Sequence, residues 1–271
     1  MSKITIVTIS FNQAKYLEEA IRSVVEQDYS DIEYIVVDPG STDGSRDIIE
    51  RYQDRIARVI YEPDNGPADG LNKGFAAAHG DIFGFLNSDD VLESGAIERV
   101  ARYFETTPKA DVVSGHSWII DAKSKRIRRF YSDRYSLWMA AHGASILSQA
   151  STFFRAGIYR RAGGFNSENR VAWDGELFAD MALAGANFAR VNEVWSRFRV
   201  HEDGITGSGK LHQAHEEYSR SIFKKINGRE RAQIDLAAAV FAKYARKVAN
   251  PLDTKERLLY GPIYRSAGGV V

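Results

Sequence analysis

Along the first hundred residues, apolar positions recur in two alternating modes. Short unbroken runs at 3–10, 33–37, 58–61 and 81–86 carry the β-branched and aromatic residues of strands buried on both faces. Between them apolar residues return at helical spacing. Tyr16, Leu17, Ala20, Ile21, Val24 and Val25 mark a helix over 14–27, and Ile48 and Ile49 mark a second, with Ser41 or Thr42 as its cap. Helices over 68–78 and 94–107 follow. This order predicts an α/β fold with a twisted, mainly parallel sheet and right-handed crossovers.

Beyond residue 107 the rhythm changes. Strands over 111–117 and 126–131 flank a turn at 121–125, an antiparallel excursion, and 151–154 is placed to return to the sheet. A helix over 173–184 ends at Gly185, and 187–191 and 196–200 read as two short strands. The segment 202–210 is a Gly-rich loop. From 211 to 248 the pattern is helical and charged, with Tyr218, Ile222, Phe223 and Ile226 on one face.

Composition narrows the class only mildly. A chain of 271 residues with 44% hydrophobic content can bury a full core. Lys plus Arg equals Asp plus Glu, 36 each, so no global field favours nucleic acid as a partner. The absence of cysteine excludes disulfides, thiolate zinc sites and cysteine nucleophiles. The apolar stretch after Met1-Ser2-Lys3 is too short for a secretory leader, and no run approaches a membrane span, so a cytoplasmic protein is expected.

Chemistry concentrates where apolar runs stop. The run ending at Leu86 breaks into Asn87-Ser88-Asp89-Asp90, and adjacent carboxylates at the end of a buried strand repel unless they share a hard cation with a phosphate ligand. Asp90 capping the next helix is the alternative. The other strands end at Thr8-Ile9-Ser10-Phe11-Asn12 and at Asp38, and a parallel sheet brings these ends to one edge, where ligands bind. Phe11 there is either a stacking platform for a base or a core residue. Asp38 either accepts a base N–H or bonds its own turn.

These segments resemble the family 2 glycosyltransferases. The resemblance rests on Val7-Thr8-Ile9-Ser10-Phe11-Asn12-Gln13, on Val37-Asp38-Pro39-Gly40-Ser41-Thr42-Asp43-Gly44-Ser45, on Glu62-Pro63-Asp64-Asn65-Gly66 with Leu71-Asn72-Lys73-Gly74, and on 80–90. It covers residues 3–206. It implies the GT-A fold, a nucleotide-diphosphate sugar (UDP-, GDP- or dTDP-linked) as donor, Mg²⁺ or Mn²⁺, and transfer with inversion to a sugar or lipid-linked acceptor in bacterial surface polysaccharide or glycoconjugate synthesis. Thr8, Ser10, Phe11, Asn12, Asp38, Asp69, Lys73, Asn87 and Ser88 would bind the nucleotide sugar, and Asp89, Asp90 and His201 the metal. Pro39 and Asn87 depart from the family's pattern, in which acids often stand at both positions, and put the metal mainly on Asp89.

In the second half, Ser148-Gln149-Ala150-Ser151-Thr152-Phe153-Phe154-Arg155, Gly163-Gly164-Phe165 and Trp173-Asp174-Gly175-Glu176-Leu177-Phe178 are similar to the family's acceptor side, which implies Asp174 as general base. An acid favoured by the dipole at a helix N-terminus is the alternative for Asp174. Glu176 lies about 200° away on the helix, so only one of the two faces the cleft. His201 is a metal or diphosphate ligand, or a satisfied strand-end histidine. The 204–209 loop lacks a P-loop ending and suits a lid. His212, His215 and Glu216 read as a solvated helix face before zinc ligands, and Lys123, Lys125, Arg126, Arg128 and Arg129 as a solvated hairpin before a peripheral contact with the inner face of the plasma membrane.

The expected organisation is a catalytic domain over 1–206, split at 107 into donor and acceptor halves, and a helical extension over 207–271 that covers the core or forms a homodimer. A sugar nucleotidyltransferase is disfavoured because 4–12 holds no glycine. A non-catalytic nucleotide-sugar-binding subunit is the remaining rival.

Overall fold

The computed structural model describes residues 2–201 and 212–261. Four parallel strands, β1 (Ile4–Ile9), β2 (Ile32–Val37), β3 (Arg58–Ile60) and β4 (Ile82–Asn87), stand in the order β3-β2-β1-β4. They are linked by α1 (Ala14–Val25), α2 (Ser45–Arg51) and α3 (Pro67–Ala76). Side chains alternate across the sheet, as period-2 geometry requires. Ile4, Ile6, Tyr34, Val36, Ile82 and Leu86 pack against α1, α2 and α4 (Ala96–Thr106). Val7, Ile35, Val37, Phe83 and Phe85 pack on the other face against α3, α6 (Ala156–Ala162) and α7 (Trp173–Leu183). Coverage on both faces explains why these strands read as continuous apolar runs.

The sheet continues from β4 through β8 (Thr152–Arg155), β6 (Val112–Ile120) and β9 (Phe188–Arg199) to β5 (Val91–Leu92), with β7 (Arg126–Phe130) paired to β6. β8 runs antiparallel to both β4 and β6, and β9 parallel to β6. The expected antiparallel excursion and the return to the sheet at 152–155 are both present.

Several local expectations are corrected. The two short strands expected at 187–191 and 196–200 are one strand, β9, whose register against β6 shifts around His116. Neither Ser41 nor Thr42 caps α2. Gly44, left-handed at φ 96°, takes that position, while Ser41 and Thr42 bond Asn12. Asp90 caps no helix either, because β5 intervenes and Gly95 precedes α4. The helical stretch from 211 is three helices, α8 (His212–Asn227), α9 (Gln233–Ala249) and α10 (Pro251–Tyr260), broken at Gly228 and Asn250. α5 (Leu137–Ala141) and α6 were too short to carry a periodic signal.

Of the five basic residues of the hairpin, Lys123, Lys125, Arg126 and Arg129 are exposed, as a solvated hairpin requires. Arg128 is fully buried beside Asp253, and Arg126 and Arg129 lie over the Trp118 ring, at 4.9 and 4.8 Å. His215 and Glu216 are exposed, the 202–210 loop lies outside the described residues, and no described helix is long and apolar enough to cross a membrane.

Gly84 sits under the Phe153 ring, where a Cβ would lie 2.6 Å from two ring carbons. Packed cores tolerate such crowding poorly, so Gly84→Ala should cost about 1–3 kcal/mol. Urea melts of the two proteins would measure it, and equal midpoints would show that the ring can move aside.

Candidate active site

Register fixes the site. Ile9 pairs with Val37 on one side and with Asn87 on the other, so Ser10, Asp38 and Ser88 leave the sheet in one row. Three buried polar atoms in this row have no protein partner: Ser10 Oγ, Asp38 Oδ2 and Asn87 Oδ1. Burying an unpaired polar atom costs roughly 1–3 kcal/mol, so three at neighbouring strand ends mark a surface shaped for a polar ligand.

Asp38 bonds its own turn through one carboxylate oxygen and leaves the other without a partner. Its Oδ1 accepts from the Gly40 and Ser41 N–H groups, at 3.1 and 2.8 Å, and from Arg46 Nε at 3.2 Å. Its Oδ2 remains unpaired. Beyond the strand ends Phe11 is 59% exposed, so it is not a core residue. Tyr61 is exposed as well, with the Arg46 guanidinium 4.7 Å from its ring centre. Asn12, held at φ 52°, joins the first two strand ends by accepting from the Thr42 N–H and donating its own N–H to Ser41 Oγ. Thr8 departs from expectation. It points into the core, where Tyr34 donates to its hydroxyl at 3.0 Å, so its side chain does not line the row.

After β4, Asn87 Nδ2 donates to Gln149 Oε1, and Gln149 Nε2 donates to the Phe85 carbonyl. Ser88 is buried. Asp89 stays partly open, its side chain 23% exposed, and its Oδ2 lies 3.0 Å from His201 Nε2. Thus residues 112 apart in sequence meet at one point. His201 packs on Tyr16, ring centres 4.7 Å apart. Asp90 is sealed in, and its Oδ1 accepts from the Arg199 N–H. Burial first, and the neighbouring Asp89 carboxylate second, push the Asp90 pKa well above the carboxylate range. Asp90 thus ties β9 to the β4 end through Oδ1, while its Oδ2 is buried with no hydrogen-bond partner; of the two acids expected to hold a metal, Asp89 is the one that stays partly open.

Sequence reasoning missed Arg199. Its Nε donates to the Asp89 carbonyl at 2.7 Å and its Nη2 to Glu19 at 2.5 Å, and its guanidinium lies over Tyr16. The available signal was its spacing of two from His201 at a strand end, which puts both side chains on one face.

On the other wall, Asp69 accepts from the Asn65 N–H and pairs with Lys73 at 3.3 Å, and Lys73 also donates to the Pro63 carbonyl. These two residues brace the turn into α3. Arg170 lies against Gly66, and its charge helps lower the Asp69 pKa, after the Asn65 hydrogen bond and Lys73. The 166–172 loop is thereby drawn to the start of α3.

That loop delivers Asp174 at the N-terminus of α7. Burial raises the Asp174 pKa, offset in part by hydrogen bonds from the Gly175 N–H and its own N–H. Tyr218 of α8 lies against Gly175, and the Tyr218 hydroxyl is pushed up by burial and then by the Asp174 charge. Glu176 is already engaged by Lys225 at 2.6 Å, Asn169 at 2.7 Å and Asn166 at 3.2 Å. Burial raises Glu176, but these partners outweigh it and its pKa is lowered. Of the three acids on α7, Glu176 is lowered and Asp180, raised by burial, is held by Lys225 at 2.8 Å, whereas Asp174 is raised by burial, the direction that suits a general base.

The donor set suits a hard cation. Asp89 and His201 supply an oxygen and a nitrogen at the end of the row, and among the described residues no group of three or more His, Cys, Asp or Glu gathers, either at this point or elsewhere. Mg²⁺ and Mn²⁺ complete such sparse sites with phosphate oxygens and water.

Residues 5–161 match the family described as Glycosyl transferase family 2. An uncharacterized glycosyltransferase of Nostoc sp. is 39% identical over 128 residues, which cover 46% of this chain and 39% of that protein. The matched stretch is less than half the length of this and the next two curated relatives. The structure of S. aureus TarS 1-349 in complex with UDP-GlcNAc is similar with a TM-score of 0.70 at 17% identity, covering 98% of this chain and 79% of that one. Mannosyltransferase PcManGT from Pyrobaculum calidifontis, in complex with GDP-Man and Mn²⁺, is similar with a TM-score of 0.65 at 18% identity, covering 98% and 74%. At these identities the likeness is one of fold, and the fold is GT-A.

Proposed function

The chain belongs to glycosyl transferase family 2, and from this we propose that it transfers a sugar from a nucleoside-diphosphate donor to an acceptor hydroxyl, inverting the anomeric carbon with the help of Mg²⁺ or Mn²⁺. The row of unpartnered polar atoms at Ser10, Asp38 and Asn87, ending at the Asp89–His201 pair, is the observation that carries this reading. Two proteins of the same fold hold UDP-GlcNAc in one case and GDP-Man with Mn²⁺ in the other, which supports a donor of this class.

In this mechanism Asp38 Oδ2 accepts a base N–H while Phe11 stacks on the ring. Asp89 and His201 would hold the cation, which when bound would supply positive charge against the departing diphosphate. Asp174 takes the proton of the acceptor hydroxyl as its oxygen bonds to the anomeric carbon and the bond from that carbon to the diphosphate oxygen breaks. The proton ends on Asp174 and the electron pair on the nucleoside diphosphate. Residues 1–206 form the catalytic unit in this proposal, 207–271 an extension, and the acceptor is a sugar or lipid-linked hydroxyl in surface-polysaccharide or glycoconjugate synthesis.

Incubation with UDP-, GDP- and dTDP-sugars and Mn²⁺ should release the nucleoside diphosphate from at least one donor, if only by slow hydrolysis. Thermal stabilisation by a donor with no release would reduce the chain to a binding subunit.

Asp38 offers a separate check. Asp38→Asn keeps one oxygen for the Gly40 and Ser41 N–H groups but turns an amide donor towards the base N–H. Losing a charged hydrogen bond of about 1.5–3 kcal/mol should weaken nucleotide binding about tenfold or more. Calorimetric titration showing wild-type affinity would confine Asp38 to its turn.

A further inference from the structure

The amphipathicity of α9 is inverted. Its inward side carries polar and charged groups: Asp235 is bound by Arg229, Arg246 by Asp133 and Asp253, and Asn250 beyond it donates to Asp133 and the Tyr131 carbonyl. Its outward side is apolar. Ile234, Phe241 and Val248 stand exactly seven residues apart and are 75%, 66% and 82% exposed. Ala237 and Tyr244 fall three residues after the first two, both exposed.

A seven-residue repeat with a second apolar position three along is the seam that one helix offers another. A lipid surface asks for basic residues on both borders of an apolar face. One border of this stripe holds Ala238 and Ala245, whose small side chains allow a second backbone to approach. Lys247 stands beyond the other border, and Lys243, two residues past Phe241, points to the opposite side. Leu236, Val240, Leu258 and Trp138, all exposed, widen the apolar surface, with Trp138 edge-on to Phe241. An aromatic side chain alone presents ~150–250 Å², so the whole approaches the ~800 Å² that each partner gives to a standard interface. That exceeds the apolar patch of an ordinary monomer.

We propose that α9 pairs with α9 of a second copy of this chain across a two-fold axis, burying the stripe. A self-complementary patch closes as a dimer and leaves no seam open. The assembly is independent of the proposed chemistry.

Sedimentation velocity on the full chain at micromolar concentration should give a dimer, and Phe241→Glu and Val248→Glu should each raise its dissociation constant by at least about a hundredfold, as expected for central interface positions. Both side chains are exposed in the monomer, so circular dichroism and the thermal melt of the monomeric variants should remain cooperative. The chain has no cysteine, so Phe241→Cys introduces a single thiol at the midpoint of α9, close to its own copy whichever way the helices run. A short bifunctional thiol cross-linker should join Phe241→Cys chains and leave Lys243→Cys chains single. A wild-type monomer, a dimer that survives both glutamate substitutions, or a monomer that binds anionic phosphatidylserine vesicles through Phe241 would each overturn the pairing, the last by assigning the stripe to lipid.

Discussion

Asp174→Asn should lower turnover by a factor of ~10² to 10⁴, the usual contribution of a positioned general base, while donor affinity hardly moves. Asn preserves the shape and the hydrogen bonds from the helix N-terminus but cannot take the acceptor proton. The pH dependence carries a second signature. Because burial raises the Asp174 pKa, the acid limb of the wild-type rate profile should lie above the ordinary aspartate range and disappear in the variant. Stability moves the other way. A carboxyl whose folded pKa is raised binds its proton more tightly in the native state, so its contribution is greatest at low pH and falls as pH rises from the unfolded value through the folded one. The substitution removes that penalty, and the melting temperature at neutral pH should hold or rise. Wild-type rates of donor hydrolysis and acceptor transfer in Asp174→Asn would remove the base role. Glu176 is a poor substitute, since Lys225, Asn166 and Asn169 occupy it.

Asp89→Ala should abolish transfer together with the metal-dependent part of nucleoside-diphosphate affinity. The diphosphate and Asp89 are both anionic, so their proximity is favourable only with a cation between them. The fold should survive, because Arg199 is anchored by the Asp89 backbone carbonyl and not by its carboxylate. Calorimetric titration with Mn²⁺ and then with chelator measures the effect: wild type should lose affinity on chelation, and the variant should show no difference between the two. Equal wild-type affinity with and without chelator would exclude a metal-bridged donor. His201→Ala should behave as a weaker version, because the Asp89 carboxylate supplies the negative charge and the imidazole only a ring nitrogen.

The outcome at particular residues shows what is local and what is not. Alternation between buried strands and amphipathic helices depends on neighbours one to four residues away, so β1 to β4 and α1 to α4 were legible from periodicity. The row of strand ends was legible too, since parallel order alone puts Ser10, Asp38 and Ser88 on one edge. Distant partners settled the rest. That Asp38 would commit one oxygen to its turn and to Arg46 and leave the other without a partner had no answer in sequence. Asp89 and Asp90 are adjacent and chemically identical. The arrival of β9 more than a hundred residues later leaves one beside His201 and gives the other to the Arg199 N–H. Glu176 and Asp174 were separated in the same way, by loop asparagines and a lysine from α8. The sequence by itself determined the α/β order, the edge that the strand ends share and the residue types placed there. The tertiary structure alone decided which polar atoms stay unpaired, because burial and hydrogen bonding are properties of three-dimensional neighbours, and those neighbours come from elements far apart in the chain.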